Sequence, residues 1–139
     1  MAVQSLDHYL VFAGDLELTK RFYVETLGLD VGFRPPFEFP GYWLYIDGKA
    51  IVHLAADDGS GGFEKYLDKP EAAPDGGTGA LDHIAFRCSD GSIQEFRAKL
   101  ERLNVPYKHR VVPEFDLQQL FLDDPDGLMI ELNFFDEAP

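Results

Sequence analysis

The sequence predicts an α+β fold of two tandem strand–helix–strand–strand–strand modules, and three observations predict it. Leu6-Asp7-His8 returns 75 residues later as Leu81-Asp82-His83, each time leading into a short apolar run. Each half then carries a helical stretch closed by a residue that tolerates the left-handed conformation, Gly28 and Asn104, followed by Leu29 and Val105. Each half also ends alike, with Asp47-Gly48 or Asp126-Gly127 as a hairpin signal before a β-rich run. Two copies of a unit this long mark a duplicated module rather than a solenoid, which needs three or more.

The elements follow in order. Tyr9 to Phe12 reads as the first strand. Asp15 is positioned to cap a helix whose apolar side is drawn from Leu16, Leu18, Phe22, Tyr23 and Leu27. Asp30 to Arg34, Tyr42 to Ile46 and Ala50 to Ala55 complete the first set of strands. In the second half Ile84 to Cys88 is the leading strand. Ser89-Asp90, or Ser92 with Glu95 as a capping box, starts a helix with Ile93, Phe96, Leu100 and Leu103 on one stripe. Tyr107 to Val112, Leu117 to Leu122 and Leu128 to Phe134 are the remaining strands. The expected organisation is one domain over 1–139, with a first module at 5–56, a joining segment at 57–80 and a second module at 81–135. The joining segment has six glycines with Pro70 and Pro74, and Phe63 to Tyr66 is a candidate helical turn within it. Linker and flap over a site are both open readings.

A chain of 139 residues can bury a core without disulfide staples, and its 45% hydrophobic and 27% charged residues are those of a soluble globular protein. Its 25 acidic against 12 basic side chains give a net charge of −13. That balance excludes the basic footprint of a nucleic-acid binder and is repelled by an anionic membrane surface. The single cysteine, Cys88, cannot pair internally, the first residues show no signal peptide, and no apolar run reaches bilayer length. A cytoplasmic location is the expectation.

Four polar side chains interrupt apolar strands in related places. His8 and His83 lead the two modules, while His53 and Glu131 sit in the last strand of each, within Ile51-Val52-His53-Leu54 and Met129-Ile130-Glu131-Leu132. Each alone reads as an ordinary structural residue or an outward position on an alternating strand. Together they suit a divalent first-row metal, because a carboxylate directed inward needs a cation, and two histidines with one carboxylate form a facial triad. The chain has no nucleophile elbow, phosphate loop or dinucleotide fingerprint.

The chain resembles the vicinal oxygen chelate superfamily, which includes glyoxalase I, methylmalonyl-CoA epimerase, fosfomycin-resistance transferases, extradiol dioxygenases and bleomycin-resistance proteins. The resemblance rests on Leu6-Asp7-His8, Arg21-Phe22-Tyr23 with Leu27-Gly28-Leu29, Leu81-Asp82-His83, and Asp124-Pro125-Asp126-Gly127 leading into Ile130-Glu131-Leu132. It implies two βαβββ modules forming a curved mixed sheet around a metal, with ligands matching His8, His53, His83 and Glu131. One divalent ion per site is implied: zinc, nickel, manganese or iron. The sequence departs from glyoxalase I, which usually has glutamate at the place of His53, and from the epimerase, which has glutamine. Fosfomycin enzymes and dioxygenases use the triad matching His8, His83 and Glu131, which leaves His53 as a fourth ligand or as an acid or base beside the metal.

Three functions follow as expectations. The first is a glyoxalase-like isomerase or lyase in which the metal chelates two neighbouring oxygens of a small substrate and His53 or Glu131 moves a proton. The second is an extradiol-type dioxygenase with iron(II), which requires His53 unligated. The third is a non-catalytic binding protein of the bleomycin-resistance type. Arg87, on the strand face of His83, is a candidate for a substrate carboxylate, with a surface salt bridge as the plainer reading. Among the strand aromatics Tyr42, Trp43, Tyr45 and Phe121, Trp43 and Phe121 are the candidates to line a pocket. Lys108, His109 and Arg110 form a basic patch, and Cys88 reads as a small apolar filler. A small-molecule substrate and a homodimer, which would cover open sheet edges, are the expected partners.

Overall fold

In the computed structural model the described residues are 2–67, 78–88, 93–112 and 117–135. The contacts divide the chain into two units, Met1–Gly76 and Gly77–Pro139, each built on a four-stranded mixed sheet. The first unit holds β1 (Tyr9–Phe12), α1 (Leu16–Arg21), β2 (Asp30–Gly32), β3 (Gly41–Ile46), β4 (Lys49–Ala55) and α2 (Gly62–Leu67). The second holds β5 (His83–Cys88), α3 (Ile93–Arg102), β6 (Lys108–Val112), β7 (Leu117–Asp123) and β8 (Met129–Phe135). Strand orders are β1-β4-β3-β2 and β5-β8-β7-β6, with the first pair of each sheet parallel and the rest antiparallel. The two βαβββ modules expected from the repeat are therefore present.

Alternation sorts each sheet into a helix side and an opposite side. In the first unit Val11, Leu44, Val52 and Leu54 are buried on one side, where the Tyr9 hydroxyl meets that of Tyr23, at the end of the first helix, at 3.3 Å. In the second, Leu120, Leu122, Ile130, Leu132 and Phe134 form the equivalent layer, and Phe96 of α3 packs edge-on to Phe134 at 5.8 Å. The other side of each sheet carries the polar positions.

Two local details go beyond the sequence reading. The first helix is capped by the Asp15 carboxylate, which accepts from the Leu18 amide, but its last turn, Phe22–Thr26, widens to π geometry with Leu27 N–H donating to Phe22 C=O. The buried stripe of this helix is Thr19, Phe22, Tyr23 and Thr26, and Leu18 is exposed. Asp47 and Gly48, with φ of 49° and 79°, make the expected two-residue turn. Asp126-Gly127 also lies in a hairpin turn, in a longer connection: the last paired residues are Asp123 and Met129, so five residues connect β7 to β8. There Asp124 N–H donates to Leu128 C=O and Gly127 N–H to Asp124 C=O, and the buried Asp124 carboxylate adds to them by accepting from the amides of Asp126 and Leu128 at 2.8 and 2.9 Å.

The capping residues 89–92 and residues 68–77 of the joining segment lie outside those described. Residues 57–67 belong to the first unit, where α2 inserts Phe63 into a cluster with Phe39 and Ala55.

Candidate functional site

The first unit brings His8, His53 and Trp43 together. β1 pairs with β4 so that Leu10 lies beside His53, and β3 pairs with β4 so that Trp43 lies on its other side. His8 is two residues before Leu10 and so shares that face. The three rings stack, His8 on His53 at 3.7 Å and Trp43 on His53 at 4.0 Å, each pair within 12° of parallel. Asp7 Oδ2 is 2.6 Å from His8 Nδ1, which leaves Nε2 as the free ring nitrogen. His53 is buried; burial, and next the charge of His8, push its imidazole below its ordinary value of 6.5.

The second unit repeats the plan with an acid. Asp82 Oδ2 is 2.7 Å from His83 Nδ1, and His83 Nε2 stands 3.6 Å from Glu131 Oε1. The hydrogen bond to Asp82 and the charge of Glu131 hold the His83 imidazole above 6.5. Glu131 lies between Ala85 and Phe121, as His53 lies between Leu10 and Trp43. The registers thus make His8 equivalent to His83, His53 to Glu131 and Trp43 to Phe121. Among the described residues no three or more His, Cys, Asp or Glu side chains are gathered into a group that could hold a metal ion; the first unit stacks His8 on His53, and the second sets His83 beside Glu131.

Sequence reasoning missed two side chains here. Asn133 donates through Nδ2 to Glu131 Oε2 at 2.8 Å, and Gln119 donates through Nε2 to Asn133 Oδ1 at 3.0 Å. Both were within reach of the period-two rule, since Asn133 is two residues past Glu131 and Gln119 two before Phe121. It missed as well the extension of the ring stack in the first unit. Phe37 lies 6.2 Å from Trp43 and 4.8 Å from Tyr66 of α2, with the Arg34 guanidinium 5.0 and 4.9 Å above Phe37 and Phe39. The loop holding Arg34 and these rings has no periodicity from which to read its direction.

A profile for the Glyoxalase/Bleomycin resistance protein/Dioxygenase superfamily matches residues 5–132. The chain belongs to this superfamily. It is 33% identical over 138 residues to Glyoxylase I 4 of Arabidopsis thaliana, covering 97% of this chain and 73% of that one. The structure of a glyoxylase/bleomycin resistance protein/dioxygenase domain from Frankia superposes with a TM-score of 0.72 at 18% identity, over 99% and 96% of the two chains. That of a lactoylglutathione lyase from Agrobacterium tumefaciens gives 0.65 at 18% identity, over 96% of each.

The remaining candidates of this superfamily member sort by face. Arg87 is on the side of His83 and Glu131, but its guanidinium lies 4.0 Å over the Phe135 ring, and no carboxylate among the described residues pairs with it. The Phe135 ring, not the expected salt bridge, is its partner among the described residues. In the basic patch alternation separates Lys108 and Arg110 from His109, whose Nε2 lies 2.9 Å from Gln118 Oε1. Cys88, on the helix side, is pushed up to about 11 by burial and stays a thiol.

Proposed function

We propose that the chain is a divalent-metal enzyme of glyoxalase type, an isomerase or lyase acting on a small substrate with two neighbouring oxygens. The observation that supports it best is the shared register of His8 and His83, each with the preceding aspartate on Nδ1, which leaves Nε2 as the nitrogen for a metal. A carboxylate on the far nitrogen fixes the tautomer of a ligating imidazole and raises its basicity. His8, His83 and Glu131 fit an ion of the zinc, nickel, manganese or iron class, and His53 is the fourth candidate donor. Such an ion supplies Lewis acidity that polarises the substrate oxygens. Glu131 and His53 are the groups to hold or move the proton, Arg87 to take a substrate carboxylate, and Trp43 and Phe121 to flank the substrate.

The test is elemental analysis of protein purified without chelators, with an assay for lactoylglutathione lyase activity, the activity named for the Agrobacterium tumefaciens relative. Wild type should carry one ion per site, and Glu131→Ala and His83→Ala should each lose it. Full metal content in both variants would sink the assignment.

The dioxygenase reading with iron(II) is favoured by one observation, the stack of His8 on His53. Two imidazoles stacked face to face at 3.7 Å do not both aim a ring nitrogen at one point, which donation to a single ion would need. As the rings stand, one of them can ligate. His53→Ala separates the readings. Lost metal affinity assigns His53 to the ion after unstacking, whereas intact metal with reduced turnover assigns it to proton transfer. We further propose a homodimer, on the ground that β1 and β2, and likewise β5 and β6, are outermost strands of their sheets.

A further inference from the structure

The Glu131 carboxylate is held by one of its oxygens. Oε2 accepts the Asn133 amide, Asn133 in turn accepts from Gln119, and Oε1 is left facing His83 Nε2 at 3.6 Å. Gln119 is buried and sits directly across from Asn133 in the β7–β8 register, so the relay runs across two strands on the face that carries the acid.

The internal duplication supplies a control. Gln119 pairs with Asn133 as Gly41 pairs with Ala55, so Gly41 and Ala55 are the equivalent positions in the first unit. There the central residue is an imidazole, His53, and the flanking positions carry no polar side chain. Gly41 has no room for one, since a Cβ there would lie 2.1 Å from Leu54 C=O. The amide pair is thus found only beside the carboxylate. A sheet of this topology does not require it.

We propose that Asn133, itself oriented by Gln119, is a positioning residue that presents Glu131 to the metal through Oε1 alone. A carboxylate with both oxygens free can close on an ion with both and occupy two coordination positions. One oxygen tied to an amide leaves a position for substrate and stops the side chain from turning away. The inference rests on the metal reading given above.

The experiment measures zinc(II) affinity by chelator competition and the visible spectrum of the cobalt(II)-loaded protein, for wild type, Asn133→Leu and Gln119→Leu. Thermal unfolding of the metal-free forms serves as the control for folding. Asn133→Leu should bind zinc about 10- to 100-fold more weakly and change the cobalt spectrum, which reports coordination number. Gln119→Leu, acting at one remove, should shift both in the same direction by less, and it carries the test if Asn133→Leu does not fold. Wild-type zinc affinity and an unchanged cobalt spectrum in the folded variants overturn the positioning role alone. A wild type that binds neither ion overturns the metal reading and this inference together.

Discussion

At the scale of single residues, two histidines in different surroundings, one buried and one exposed, are tuned in opposite directions. Burial and His8 hold His53 down, whereas Asp82 and Glu131 hold His83 up. In metal-free protein the His53 ring should titrate below 6.5 and the His83 ring above it, resolved by following the imidazole proton resonances in NMR. The reverse order would contradict the burial and pairing described. The signs for stability follow. The contribution of His83 is present below 6.5 and lost as pH rises through its folded value. That of His53 is present above 6.5 and lost as pH falls through its folded value. The two windows lie on opposite sides of 6.5, so together these groups should make stability rise toward 6.5 from below and fall above it.

At the scale of elements, strands and their faces were legible in the sequence, because alternation with a buried side specifies register strongly. His8, His53, His83 and Glu131 could be assigned to related positions from the repeat alone. The π turn at Phe22–Thr26 was not legible, because one extra residue in a helix leaves no mark on composition while it rotates every side chain after it. The length of the β7–β8 connection was not legible for a related reason: an Asp-Gly pair marks a turn without stating its length. Asp124 braces that connection, with two amides on one buried oxygen. Asp124→Ala should therefore lower stability by about 1–3 kcal/mol in urea unfolding, since both amides lose their acceptor, and Asp124→Asn should recover part of it. An unchanged midpoint in Asp124→Ala would show that water replaces the carboxylate at no cost. The amide pair on Glu131 was within reach of the same alternation rule and was passed over, because Asn and Gln on a strand draw no notice beside histidines.

At the scale of the whole molecule, duplication lets one half diverge from the other without disturbing either sheet. The first unit keeps an imidazole at the central position and packs rings around it; the second keeps a carboxylate and surrounds it with amides. The excess of 25 acidic over 12 basic side chains is the long-range counterpart, a field that attracts cations and discourages polyanionic ligands. The homodimer proposed from the outermost strands should show a solution mass of about twice 15.7 kDa by light scattering. A mass that stays at 15.7 kDa at every concentration would refute it.

Trp43 is the one tryptophan of the chain, and it lies face to face with His53 at 4.0 Å. Its fluorescence is therefore an intrinsic optical probe of that imidazole. Protonation of His53 places a positive charge against the indole and quenches it, while withdrawal of His53 from the stack brightens the emission and shifts its wavelength. Adding an ion to the unlabelled protein would reveal in a cuvette whether His53 moves, with no substrate and no substitution.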